Sequence, residues 1–324
     1  MNRKWKPTTE FYLGMFLLAI LLILAIFAPK FYDLNNLMSM LNRFSYVAIA
    51  AIGMNLIILT SNIDVSAGAL ISVVCLVIAA VGKQGYGLHI LLPVAMITGG
   101  LLSLINALFI TKFRIPAIVA TLATAQLFSG TLPLCVEGSI YDLPASFTWL
   151  SFKAKIFGII PASVLFALVV SILALVFMKY SRFSKKIYAI GNNQQSARLT
   201  GIDVNKVTIV CYVIAGCLFG ITATIIATAG QRVTTTMGMG LEMTFIAAVV
   251  LGGTSVSGGS GKILGTILGA AVLSVIAPAT NYLGISSDWS DMIMGAIIII
   301  AVVVGALQGY RRKKPIAQTG GAAA

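Results

Sequence analysis

Apolar residues run in long blocks along this chain, at about 11–29, 44–60, 66–82, 88–110, 115–134, 156–178, 207–229, 241–257, 262–280 and 290–308. A helix needs ~20 residues, each rising 1.5 Å, to cross a bilayer. Most of these blocks therefore predict membrane-spanning helices. The strict apolar–polar alternation of a barrel strand is absent. Between the first two blocks, FYDLNNLMSMLNRF puts Leu34, Leu37, Met38 and Leu41 on one helical face. That pattern predicts a short amphipathic helix on the outer surface.

Composition points the same way. Of 324 residues, 59% are hydrophobic and 10% charged, and the mean hydropathy is +1.00. A soluble domain carries about 25% charged residues, so here the outer surface itself must be apolar and a bilayer is the solvent. The chain reads as an all-α polytopic membrane protein of about ten helices, some broken. Residues 1–314 form one transmembrane domain, and 315–324 a short disordered tail. The basic start MNRKWK would also suit a signal peptide. Pro29 and Lys30 stand where a small-residue cleavage site belongs, so an uncleaved first span is expected.

Charge sets the orientation. The net charge is +13, but the basic residues lie in short clusters between apolar blocks and not in one patch with interleaved aromatics. Nucleic acid is not an expected partner. Ten spans with the N-terminus inside place sixteen of the 22 basic residues in inner segments and put Asp33, Glu137, Asp142, Glu242, Asp288 and Asp291 outside. This positive-inside bias predicts that both termini face the cytoplasm. The longest outer segment, 135–155, carries Tyr141 and Trp149 and suits an external partner, although an interfacial anchor explains Trp149 equally well. His89 is the single histidine, and Cys75, Cys135, Cys211 and Cys217 form no CxxC pair. Neither a metal site nor a disulfide framework is expected.

Four segments carry candidate chemistry. In IILTSNIDVSAGALIS a helix breaks near Thr60 and restarts near Ser66. Asn62, Asp64 and Ser66 are N-cap types ahead of an apolar run. A charged Asp64 at the bilayer centre would cost ~2.5–3.5 kcal/mol, so it either caps a helix or lines a wet cavity. In INALFITKFRIPAIVATLATAQLFSG, Pro116 opens a helix at its first turn, and Thr121, Thr124 and Gln126 are polar within a span, as is Asn106 before them. These four either bond helix to helix or line a path for a neutral polar solute. The inner stretch KYSRFSKKIYAIGNNQQSARLTGIDVNKV carries a short helical piece from about Asn193 to Thr200, stopped by Gly201. It is long and patterned, and reads as a docking element for a soluble partner. GLEMTFIAAVVLGGTSVSGGSGKILGTILGAAV invites a P-loop reading that fails, because Val256 and Ile263 occupy the required positions. Gly261, Gly265 and Gly269 instead suggest a GxxxG ladder for close helix packing. The glycine-rich break over 252–261 has the character of breaks that border transport sites.

Taken in order from about residue 44 to 308, these segments resemble the permease subunits of ribose-type ABC importers, the family that handles simple sugars and autoinducer 2. NIDVSAG looks like its Asp-containing break, RIPAIVATL like its fifth-span start, and IGNNQQSARLTGIDVNKV like its coupling loop, within 180–206. LEMTFIAAVVLGGTSVSGGSGKILGTILGA is the nearest match. Ser61-Asn62 replaces a usual Gly-Gly, and Ser129 stands where many members carry Arg. SNIDVS and DWSDMIMG look more like the autoinducer 2 permeases.

The resemblance implies a multi-pass permease of the bacterial inner membrane that does no chemistry itself. It implies a second permease subunit, identical or homologous, and an ABC ATPase subunit that binds ATP and Mg. A periplasmic or lipid-anchored solute-binding protein would deliver a small sugar-like solute. Asn192, Asn193, Gln194, Ser196, Ala197, Arg198, Leu199, Gly201 and Ile202 would then couple to the ATPase. Asn62, Asp64, Ser66, Asn106, Thr121, Thr124 and Gln126 would line the path. The alternative is an ion-coupled secondary transporter, for which only Asp64 and Glu242 are candidate relay carboxyls.

Overall fold

A computed structural model describes residues 9–136, 160–230 and 232–286 continuously, with residues 139, 140, 147, 155, 156, 289, 292, 293, 295, 296, 299 and 303 besides. The basic N-terminal hexapeptide, Tyr141, Trp149, most of the expected span over 290–308 and the C-terminal tail lie outside the described residues.

Eleven α-helices make up almost all of the described chain: α1 (Thr9–Phe27), α2 (Leu34–Leu59), α3 (Ala67–Gly82), α4 (Leu88–Thr111), α5 (Ala117–Cys135), α6 (Ala162–Tyr180), α7 (Arg182–Asn192), α8 (Gln194–Leu199), α9 (Val204–Ala227), α10 (Leu241–Leu251) and α11 (Ile263–Tyr282). Seven of them are long and apolar enough to cross a membrane, while α3 and α10 are shorter apolar helices. Two-residue strands are the exception. Ser139–Ile140 (β1) pairs with Val233–Thr234 (β4), and Lys155–Ile156 (β2) pairs with Ile160–Pro161 (β3), both antiparallel.

The centre of the bundle is α2, α9 and α11, with α1, α5 and α6 around it. Peripheral helices show large apolar side chains outward, such as Leu18 and Leu22 on α1 and Leu168 and Leu173 on α6. That surface suits lipid. The most extensive pairing joins α4 to α9, and small residues explain it. A Cβ at Gly216 would strike the Gly99 carbonyl and Ser103, and one at Gly220 would strike the backbone of Ala95 and Met96. Close backbone approach of this kind is how helices associate where no hydrophobic force acts between them.

Two expectations need correcting. The segment after residue 33 is not a separate surface helix. It is the first turns of α2, which runs unbroken for 26 residues. On its expected apolar face Met38 is buried and Leu37 and Leu41 are half-buried against neighbouring elements, while Leu34 stays exposed. The glycine ladder has two members and not three. Gly265 and Gly269 lie on α11 against the backbone of Gly252 and Ala248 on the α10 side, whereas Gly261 precedes α11 and packs on Thr254. Lys262 is extended, with φ −140° and ψ 139°, so the helical face does not reach back to Gly261.

Every described segment that the charge pattern assigns to the inside lies at one end of the bundle. Asn62, Arg114, Gln194 and Arg198 border a common cavity, Asn192 bonds Gly259, and Lys262 pairs with Glu10 at 2.8 Å.

Candidate functional site

α7 and α8 form a surface element at that inner end. Ser181 caps α7 by accepting the Phe183 N–H. Ile187 and Ile190 are buried beneath it, with Ser184. Phe183, Ile187 and Ile190 recur at helical spacing among Arg182, Lys185 and Lys186, so the buried face was readable from periodicity. Asn193 then caps α8, its Oδ1 accepting the Ser196 N–H at 2.9 Å. Gly201, at φ +81°, turns the chain out of α8, and Asp203 caps α9 by accepting the Lys206 N–H at 3.1 Å. That bond holds the Asp203 carboxyl below the usual carboxylate range. Within this element Ala197 and Ile202 pack inward with Ile187, Ile190 and Val207. Leu199 projects outward, 89% exposed.

The C-terminal end of α7 is joined to both helix breaks, a connection that sequence reasoning did not find. Gly259 N–H donates to the Leu59 carbonyl at 3.1 Å. Ser61 Oγ donates to the carbonyls of Ser257 at 2.8 Å and Gly191 at 3.2 Å. Asn192 Nδ2 donates to the Gly259 carbonyl at 3.3 Å, and the Tyr188 hydroxyl to the Gly261 carbonyl at 2.9 Å. A Cβ on Gly191 would meet Leu59 O and Gly259 N, so only glycine fits. Ser61 itself sits at φ +64°, a conformation that costs an L-residue roughly 1–2 kcal/mol. The single hydroxyl proton of Ser61, shared between the two carbonyls, offsets part of that cost.

The break over 60–66 turns inward to a buried polar cluster. Asp64 Oδ1 accepts the Ser66 N–H at 2.8 Å and the Ser66 hydroxyl at 2.6 Å, and Asn106 Nδ2 donates to Ser66 Oγ at 2.7 Å. Thr121 Oγ1 accepts the Val65 N–H at 3.2 Å. Thr124 is buried one turn on and bonds its own helix. Asp64 therefore braces Ser66, the N-cap residue of α3, and it is also wholly buried. Its Oδ2, Asn106 Oδ1, Ser103 Oγ and the Tyr212 hydroxyl are buried without a hydrogen-bond partner among the described residues. Sequence reasoning does not single out Ser103 and Tyr212, since nothing in their local spacing sets them apart from the other polar residues of their blocks. The Glu242 carboxyl lies against Gly68 in the first turn of α3, where a helix N-terminus favours a negative group. Gln126 is exposed on another face of α5, and Asn62 lies at the inner cavity, bonded to Thr60.

Interrupted helices around a buried polar cluster, tied to a surface element at one end of an apolar bundle, define a membrane permease component. The chain belongs to the family described as the branched-chain amino acid transport system / permease component, whose pattern it matches over residues 36–302. It is 33% identical to the ribose import permease protein RbsC of Escherichia coli (strain K12) over 293 residues, 89% of this chain and 91% of that one. It is 32% identical to RbsC of Bacillus subtilis (strain 168) over 294 residues, 90% and 91% of the two chains. To the autoinducer 2 import system permease protein LsrC of Yersinia enterocolitica it is 33% identical over 292 residues, 88% and 81%. No solved structure matches the chain. The chain is thus a multi-pass permease of the bacterial inner membrane, and the ion-coupled alternative is not favoured.

Proposed function

We propose that this chain is the membrane-spanning subunit of a binding-protein-dependent importer for a small sugar or sugar-like solute, powered by ATP and Mg on a separate ATPase chain. The relatives named for ribose and autoinducer 2 support a small polyol as cargo. The unpartnered oxygens of Asp64, Asn106, Ser103 and Tyr212 are a mix of acceptors and hydroxyls that suits hydroxyl-rich solutes. A second permease copy or homologue would complete the path, and a solute-binding protein would load it from outside.

One observation supports the coupling role: α8 presents Leu199 outward, while α7, to which it is joined, bonds inward to both helix breaks. A partner that pushes on this element displaces the breaks directly. Closure of an ATPase around ATP would then bias the permease between outward and inward states, by as much as its contacts with the two states differ.

The test is uptake in reconstituted vesicles holding the permease, its ATPase and the binding protein. Labelled ribose should enter only with ATP. Leu199→Asp, and Gly201 and Ile202 changed together to bulky charged residues, should leave ATP hydrolysis running while uptake falls about tenfold or more, a loss of 1.4 kcal/mol or greater. Ribose movement without the ATPase, or normal uptake in these variants, defeats the proposal.

A further inference from the structure

At the inner end, a cavity of about 350 Å³ opens between the 60–66 break, the α4–α5 turn, α8 and the start of α9. Arg114, from the α4–α5 turn, and Arg198, from α8, both line it, together with Asn62, Gln194, Asn205 and Thr208. Neither arginine forms an ion pair among the described residues. Arg114 holds φ +56°, a region that a non-glycine residue occupies only when its surroundings keep it there. Orienting the chain in the membrane asks of these charges only that they face the cytoplasm; it does not ask that they converge on one cavity.

We propose that this cavity binds the phosphate monoester of a small polyol, such as a sugar phosphate. Two guanidinium groups match a dianionic phosphate, each able to give paired N–H donors. The amide and hydroxyl side chains supply both donors and acceptors for ring hydroxyls. The volume admits a pentose or hexose phosphate and little more. A ligand seated there bridges α8 to the break at Asn62, and so holds the coupling element still. A phosphorylated form of the cargo in the cytoplasm would thereby slow further import. This last consequence rests on the coupling role proposed above; the binding itself does not.

The test is calorimetric titration of the full-length protein in nanodiscs of phosphatidylcholine, with ribose 5-phosphate, ribose and inorganic phosphate as probes. Ribose 5-phosphate should bind, inorganic phosphate about tenfold or more weakly, and ribose not at all. Arg114→Gln and Arg198→Gln should each weaken ribose 5-phosphate about tenfold or more, and Arg198→Lys by less, since lysine keeps the charge but loses the fork. Unchanged thermal unfolding would show that these variants fold. Undetectable ribose 5-phosphate binding, or binding unchanged in both glutamine variants, overturns the site. Repeating the titration with phosphatidylglycerol in the disc should leave the affinity unaltered; its loss there would assign the arginines to a lipid headgroup and overturn the soluble ligand. Loss on adding the ATPase would likewise give the arginines to an acidic surface of that subunit. Because the titration needs no ATP hydrolysis, failure here leaves the coupling proposal standing.

Discussion

Asn55 stands in the last turns of α2, wholly buried, with its amide nitrogen donating to Thr254 Oγ1 at 2.8 Å and Thr266 Oγ1 at 2.6 Å. It therefore fixes the central helix to both sides of the glycine-rich break. Polar bonds between membrane helices average about 0.6 kcal/mol each. Asn55→Leu should accordingly lower stability by about 1–2 kcal/mol, seen as a reduced unfolding midpoint in detergent. Nothing near Asn55 in sequence announced this, because its partners lie 199 and 211 residues away. Asp64 is the contrast. Its partner is Ser66, two residues on, and a local side-chain bond of that kind is legible from residue types alone. One carboxylate oxygen takes that bond, and the other is buried without a partner among the described residues.

At the level of elements, block lengths and helix signals located the spans well, since apolar length is what a bilayer demands. They failed where two elements share one periodicity. The amphipathic start and the apolar remainder of α2 join without a turn residue between them, so no local signal separated or united them. The inner element divides similarly. Gly201 and Asn193 marked α8, but the bonds of α7 to the breaks run mainly to main-chain carbonyls, which carry no sequence signature. The Tyr188 bond is one of these and can be tested. Tyr188→Phe removes one bond, to Gly261, and leaves the ring. Uptake should fall more than ATP hydrolysis does, measured together in proteoliposomes; equal losses in both would place Tyr188 in the ATPase contact instead.

Over the whole molecule, the positive-inside count and the structure agree on which basic inner segments share a face, though one rests on charge and the other on packing; Glu242, counted outside, lies instead against Gly68 at the start of α3, because the segment before α10 packs down onto that helix. The described inner segments meet around the cavity, the breaks and α7, while β1 and β4 tie two outer segments together. Orientation follows. A Leu199→Cys variant, with exposed Cys135 changed to serine, should react with a membrane-impermeant maleimide in inside-out vesicles and not in intact cells. Labelling in intact cells would invert the topology.

The meeting of Leu59, Gly191, Ser257 and Gly259 is built largely from peptide groups and from room left by missing side chains. Alanine scanning removes side chains, so it would pass across this joint and record little. Added bulk is what it cannot accept: a single methyl at Gly191 has nowhere to go. A tolerance map of the protein would thus show this joint as a narrow band of forbidden enlargement.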